Sequence, residues 1–500
     1  MSKRHPKIPA EIDAELSPKA RKFFGEMIDD YERRIAELMK RVEELEAKLK
    51  KMEAKLQKLT PKNSSLPPSS QHPHAKAALP AKPKKAKSAA KKPGGQPGHA
   101  QATRALIPTE ACDEVIPLFP KQCRRCKRPL KGKDPKPLRH QVTELPPIKP
   151  EVTEYQLHRL ICEHCGTQTC ASLPEAVPTG QCAPRLAAFT GLLMGHFRQS
   201  KRRAASFLSS LLNVPCSPSW TVKIQNRVSD ALAAPQEELR SELQHQPQLF
   251  IDESPTKQHK SKAWLWVAVA PLFAVFGIFL SRKREALQQL VGNYDGIIIN
   301  CDRAKMYFDG KRLQWCWSHL KRDIQKRIDS NDGQVKRLGQ DLIRQQRLLF
   351  EQWRLYKADQ ISWTAFGKSV EPIRDEFNRL LLRGRESGHA QLHGMCKELY
   401  AHRDWLWTFT EVNGIEPTNN TAERALRPAV IYRKLSFGTQ SAAGSRFIER
   451  MLTVSETCRL QNRSTFEYLV QVMEAHYAGK PAPSLTPLKQ THSRKKDASA

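Results

Sequence analysis

The sequence predicts a multidomain α/β protein, on three observations. An apolar seven-residue repeat runs through residues 28–59, two Cys-x2-Cys pairs follow at 123–126 and 162–165, and strand-like apolar runs lie beyond residue 246 between helical stretches. Five hundred residues fill about three domains of ordinary size. The 83 Lys plus Arg against 51 Asp plus Glu, a formal charge of +32, point to a polyanionic partner, nucleic acid first. No basic-then-apolar leader opens the chain, so the twelve Cys are expected as reduced thiols or metal ligands in a cytoplasmic, nucleoid-associated protein.

Residues 1–60 are assigned to a coiled-coil dimerisation segment. Ile28, Ile35, Val42, Leu49 and Leu56 recur every seven residues, and Tyr31, Leu38, Leu45, Met52 and Leu59 do so three places later, the a and d positions of a coiled coil. Arg41 and Lys48 at g face Glu46 and Glu53 at e across a parallel pair, which favours a homodimer or higher oligomer. The alternative, one amphipathic helix on its own core, asks for a wider apolar face. From Pro61 to Arg104 there are nine Lys or Arg, eight Pro and no acid, so residues 61–104 read as a disordered basic linker. Lys84, Lys85, Lys87, Lys91 and Lys92 can also neutralise phosphates there without reading bases.

Residues 105–183 form a zinc-ribbon-like domain in this reading. Cys123, Cys126, Cys162 and Cys165 can surround one structural Zn²⁺, with Gly166 suited to the knuckle turn and Val152–Ile161 reading as a strand between the pairs. Unliganded thiols are the alternative, and Cys112, Cys170, His140 and His158 are substitute ligands. Residues 184–245 are helical, with Leu186, Phe189 and Leu193 on one face and a break at Asn213-Val214-Pro215. A helix-turn-helix would be bordered by Arg198, Lys201, Arg202 and Arg203 as a DNA-facing surface, and a plain helical bundle has the same pattern.

Residues 246–480 hold the candidate chemistry. Leu249-Phe250-Ile251 leads into Asp252. Ala263–Leu280 is uncharged for 18 residues, the shortest length for a membrane span. Pro271, Gly277 and the β-branched and aromatic content instead favour two buried strands turning near Ala270-Pro271, flanked by Lys262 and Arg282. Glu285–Leu290 follows as a short helix, then Gly296–Asn300 as a buried strand ending at Cys301-Asp302. Two strands ending in carboxylates suit a pair of Mg²⁺ ions for phosphoryl transfer, and strand-end turn residues would look the same. In Ile415–Pro428, Asn420 can cap a helix carrying Glu423 in its first turn. Asn-x-x-Glu is close to a capping box and Glu423 with Arg427 is an i,i+4 pair, so periodicity does not choose between a catalytic and a structural Glu423. Residues 481–500 read as a disordered basic tail.

Taken in order, these residues resemble a known family. IDES at 251–254, INCD at 299–302, CWSHLKRD at 316–323 and NNTAERALRPAVIYRK at 419–434 are similar to the transposases of the IS66 insertion-sequence family. The similarity extends to NSSLPPSS at 63–70, GGQPGH at 94–99, the Cys pairs and the leading coiled coil. It implies a ribonuclease-H-like core with a DDE triad of Asp252, Asp302 and Glu423, interrupted by a helical insertion at about 325–410. The implied activity is two-metal cleavage at the element's ends with Mg²⁺, or Mn²⁺, followed by attack of the freed 3′-OH on target DNA. The implied partners are double-stranded DNA at inverted repeats and target, and the element's accessory proteins. Arg424, Arg427, Arg433 and Lys434 stand beside the third acid to grip phosphates, unless Arg427 serves only Glu423. Cys316-x2-His319 supplies two ligands, too few for a zinc site, and reads as packing or a DNA contact. The rival function is a catalytically inactive, transposase-derived DNA-binding regulator or scaffold.

Overall fold

The computed structural model describes residues 12, 15–57, 105–175 and 177–487; the linker lysines from Lys84 to Lys92 and the tail beyond 487 lie outside them. The described residues form two compact units, one of 157–204 and 218–487 with the N-terminal helix, the other of 105–156 with 205–217. That helix, α1 (Pro18–Gln57), is continuous. Its stripe is bare: Tyr31, Ile35, Leu38, Val42 and Leu45 are all exposed, so among the described residues the periodicity is not spent on a core.

The two Cys pairs adopt the same turn, one in each unit. In the smaller unit the N–H of Lys127 donates to the Cys123 carbonyl at 2.9 Å and that of Cys123 to Arg128 O at 2.8 Å, with Lys127 left-handed at φ 60°. In the larger unit Gly166 N–H donates to Cys162 O at 2.8 Å and Cys162 N–H to Thr167 O at 3.0 Å, with Gly166 at φ 68°. The second knuckle joins β1 (Arg159–Ile161) to β2 (Gln168–Cys170) in an antiparallel pair. The strand expected over Val152–Ile161 is therefore paired only over its last three residues, because β2 supplies no longer partner. Backbone N–H groups of Cys126 and Arg125 hold the Cys123 thiol below its ordinary range, and the Thr167 hydroxyl does so for Cys165.

Four helices follow, α2 (Pro184–Gly195), α3 (Lys201–Leu211), α4 (Pro218–Ala231) and α5 (Ala233–Leu243). The Asn213–Pro215 break separates α3 from α4 as expected, and α2 packs on α4 where Gly191 leaves only 3.0 Å for a Cβ against Val228.

Beyond them lies the sheet: β3 (Gln248–Gln258), β4 (Ser261–Val269), β5 (Ala274–Phe279), β6 (Ile298–Cys301) and β7 (Arg312–Trp315), with α6 (Arg284–Val291) before β6. The strand order is β5-β4-β3-β6-β7; β3, β4 and β5 are antiparallel, and β6 and β7 run parallel to β3. The uncharged run Ala263–Leu280 is the β4–β5 hairpin, closed by Ala270 N–H to Phe273 O at 2.9 Å. Among the described residues no helix is long and apolar enough to cross a membrane.

The region after β7 is helical: α7 (Trp317–Ile328), α8 (Gly333–Lys357), α9 (Trp363–Glu386), α10 (Ala390–Ala401), α11 (Asp404–Glu411), α12 (Asn420–Ser436), α13 (Ala442–Leu460) and α14 (Thr465–Tyr477). Edge-to-face aromatics hold these helices together, with Trp317 5.3 Å from Trp407 and 5.2 Å from Phe377 between ring centroids.

Both sheet edges are closed by helices. On β5 the N–H groups of Ala274 and Phe276 donate to the hydroxyls of Thr457 (3.2 Å) and Thr453 (3.0 Å), and that of Ile278 to the Glu449 carboxylate. The match is geometric: alternate strand residues are about 6.6 Å apart and every fourth helix residue about 6.0 Å. At β7, Phe409 N–H of α11 donates to Gln314 Oε1 at 2.7 Å and the Thr408 hydroxyl to Leu313 O at 2.5 Å. Neither edge is left as an open template for another strand.

Candidate active site

Asp252 departs from its expected position at a strand end. It lies within β3, which continues to Gln258 against β4, with an isolated parallel bridge from Gln258 to Thr439 at its far end. The parallel neighbour β6 pairs with β3 only from Gln248 to Phe250, with Phe250 opposite Asn300. Carrying that register two residues further sets Asp302 beside Asp252, on the same side of the sheet. Asp302 does end its strand, and its carboxylate accepts the Ala304 N–H at 2.8 Å.

The third acid arrives on α12, whose N-terminus also differs from expectation. The cap position is Asn419, not Asn420, and its side chain caps nothing. It reaches sideways instead: Nδ2 donates to Ile251 O at 2.7 Å, one residue before Asp252, and the Asn419 N–H donates to Cys316 Sγ at 3.2 Å. No capping box forms: with Asn419 at the cap the third helical position is Ala422, not Glu423, and Asn419 Oδ1 accepts nothing from the first turn. The Glu423 carboxylate is left facing His319 Nδ1 of α7 at 3.6 Å.

The acids act on one another. Burial pushes Asp252 well above the ordinary carboxylate range, and Glu253, Asp302 and Glu423 add repulsion. Burial also raises Asp302, against the Ala304 N–H and Arg282, Arg303 and Arg322. Glu423 is raised by burial and by Asp302, against Arg322 and Arg427. His319 is pushed down to about 4 by burial, then by Arg322 and Arg303, so its ring is neutral at physiological pH.

The model of the transposase IS66 family matches residues 183–446, more than half of the chain and the part that contains all three acids. The chain belongs to the IS66 transposase family. A second family model, of unknown function (DUF6444), matches residues 15–105, which include α1. Two proteins of Sinorhizobium fredii (strain NBRC 101917 / NGR234) are similar. The uncharacterized protein y4qI is 22% identical over 275 residues, 48% of this chain and 50% of its own length; the uncharacterized protein y4jO is 25% identical over 231 residues, 45% of this chain and 66% of its own. The chain thus spans about half the length of the first of these relatives and 66% of the second.

In this IS66-family chain the site contains groups that sequence reasoning missed. Glu253 is all but fully buried; Arg282 donates to it from Nε at 2.9 Å and Nη2 at 2.6 Å, and the Tyr307 hydroxyl at 2.6 Å. Arg282 had been legible only as a charge flanking an apolar run, since its role depends on the β4–β5 hairpin bringing it back to β3. Asn300, fully buried beside Cys301, accepts from Gln248 at 2.8 Å and donates to Glu416 O at 2.7 Å, which fixes the approach to α12.

The expected phosphate-binding cations divide. Arg433 is turned inward, donating to Ser254 Oγ at 3.1 Å and to Pro255 O, and so ties α12 to β3. Arg424, Arg427 and Lys434 remain exposed on the same helix. Lys201, Arg202 and Arg203 are exposed in the first turn of α3. Arg198, left-handed at φ 59°, lines a cavity of about 420 Å³ with His196, Arg459 and Arg463.

Proposed function

We propose that the chain is a DDE transposase that cuts DNA at the ends of its insertion sequence and joins them to target DNA by phosphoryl transfer. The observation that carries this is the convergence of Asp252, Asp302 and Glu423, from a mid-strand position, a strand end and a helix start, on one point of the sheet. The order β5-β4-β3-β6-β7, antiparallel then parallel, supports a ribonuclease-H-like core.

The residues fit divalent cations. Burial raises all three half-buried carboxylates, Asp302 and Glu423 add repulsion at Asp252, and hard oxygen donors suit Mg²⁺ or Mn²⁺. When bound, such ions supply the positive charge that eases attack of water or a 3′-OH on a phosphodiester. The chain's own groups do the positioning. Ala304 N–H orients Asp302, Asn419 locks the start of α12 to the carbonyl before Asp252, and Arg282 with Tyr307 fixes Glu253 so that it stays out of the trio. Neutral His319 competes for no phosphate charge, while exposed Arg424, Arg427 and Lys434 stand ready to hold the DNA backbone. Structural zinc on the cysteine knuckles and self-association through α1 complete this reading. A scaffold that only binds DNA has no use for three mutually repelling acids, which cost stability.

Asp252→Asn, Asp302→Asn and Glu423→Gln are each expected to abolish Mg²⁺-dependent cleavage of a labelled duplex carrying the element's end, while a gel shift at one fixed salt concentration changes little. Cleavage surviving in Glu423→Gln removes that residue from the trio. Absence of cleavage by wild type with any divalent cation decides for the regulator.

A further inference from the structure

Cys316 and His319 supply only two ligands by sequence spacing, yet the fold gives them a third partner. Among the described residues, the ligand atoms of Cys316, His319 and Glu423 lie within 4.8 Å of one another. Cys316 immediately precedes α7 and His319 stands in its first turn, so one helix start presents both, while Glu423 comes from the first turn of α12. The separation of His319 Nδ1 from Glu423 Oε1 is 3.6 Å, close to the roughly 3.5 Å expected between two ligands at tetrahedral zinc distances. Two further features point to a ligand. His319 Nδ1 is a buried nitrogen without a hydrogen-bond partner, which costs about 1–3 kcal/mol unless something fills the position. Cys316 Sγ, 1% exposed at the residue level, already accepts the Asn419 N–H at 3.2 Å, which favours the thiolate against the burial that pushes this thiol up.

We propose that Cys316, His319 and Glu423 form a site for one thiophilic divalent cation of the zinc class, with its fourth position open, and that filling it withdraws Glu423 from the Asp252–Asp302 pair. Sulfur and imidazole select zinc-like ions over Mg²⁺, whereas the all-carboxylate trio selects the reverse, so Glu423 belongs to two sites of opposite preference. Only this consequence for Glu423 rests on the transposase reading; the binding itself does not.

The test uses the full chain, stripped of metal and titrated with Co²⁺ as a chromophoric substitute for zinc and then with Zn²⁺ itself, bound metal being counted by mass spectrometry. The cysteine knuckles also offer thiolates, so the readout is the difference between wild type and variants. Wild type is expected to take up one more equivalent than Cys316→Ser and than His319→Ala, and to show thiolate-to-cobalt absorption that Cys316→Ser loses in part. The affinity of the site should fall in His319→Ala by at least the roughly 10–100-fold that removal of an outer-shell partner costs. His319 is partly exposed and its Nδ1 bonds to nothing, so His319→Ala keeps the fold even where Cys316→Ser does not. Equal stoichiometry and superimposable titrations for wild type and both variants overturn the site. Zinc-free wild type that fails to cleave with Mg²⁺ overturns the transposase reading instead and leaves the metal count as it stands.

Discussion

Replacing Asp302 by Asn is expected to stabilise the metal-free protein while removing its response to magnesium. The register of β3 and β6 sets Asp302 beside Asp252. On adjacent strands about 4.8 Å apart, two ionised carboxylates repel by about 3 kcal/mol at an effective dielectric constant of about 20. Arg282, Arg303 and Arg322 return part of that, leaving a gain of about 2 kcal/mol, or roughly 4–8 °C in the melting temperature of a domain of this size. The Asn side chain keeps an oxygen for Ala304 N–H, so the local turn survives. The pH dependence has a definite sign. A carboxylate raised by folding contributes stability that is fully present below its ordinary range and lost as pH rises through the raised value. Wild type therefore loses stability from mildly acid to neutral buffer without metal, and Asp302→Asn loses less. Magnesium at a hundred times its dissociation constant adds about 2.7 kcal/mol to wild type and little to the variant. Calorimetry after exhaustive chelation, in acid and neutral buffer with and without Mg²⁺, measures all of this. A variant that melts at or below wild type in neutral metal-free buffer, or gains as much from Mg²⁺, would refute the argument that these two acids share one electrostatic site.

Thr453→Val strands the buried Phe276 N–H and should cost about 1–3 kcal/mol, whereas Thr453→Ser keeps the oxygen and should cost about 0.8 kcal/mol for the lost methyl; equal urea midpoints for the two count against edge closure by α13. Glu449 is pushed up to about 7 by burial, against Arg446, the Ile278 N–H and Arg450. Its stabilising contribution is present below the ordinary glutamate range and is lost as pH rises through about 7, and Glu449→Gln, which keeps an acceptor for Ile278 N–H, should flatten that part of the stability–pH curve. The exposed α1 stripe should pair chains in solution, so sedimentation velocity is expected to show an assembly that Leu38→Lys with Leu45→Lys reduces to monomer; an unchanged sedimentation coefficient excludes α1 as the contact.

Local pattern was enough for the elements that depend on local pattern. The seven-residue spacing foretold α1, the β-branched run broken at Pro271 foretold the β4–β5 hairpin, and the Cys-x2-Cys spacing foretold two knuckle turns. In each case the determinant is a periodicity or turn preference within a few residues, which the chain carries before any tertiary contact forms. Asp252, Asp302 and Glu423 could be picked out as candidates, but not their relation. Asp252 sits beside Asp302 because β6 stops where β3 continues, and the Asn419 amide reaches Ile251 because that buried carbonyl, beyond the last β3–β6 pair, needs a donor. Glu253 finds Arg282 and Tyr307, and Glu423 finds His319 and Cys316, across separations of 29 to 107 residues that no spacing rule spans. Burial requires that a polar group have a partner but does not say which one; that choice belongs to the packing of β3 against β6, α7 and α12, where only a few groups come within hydrogen-bonding reach.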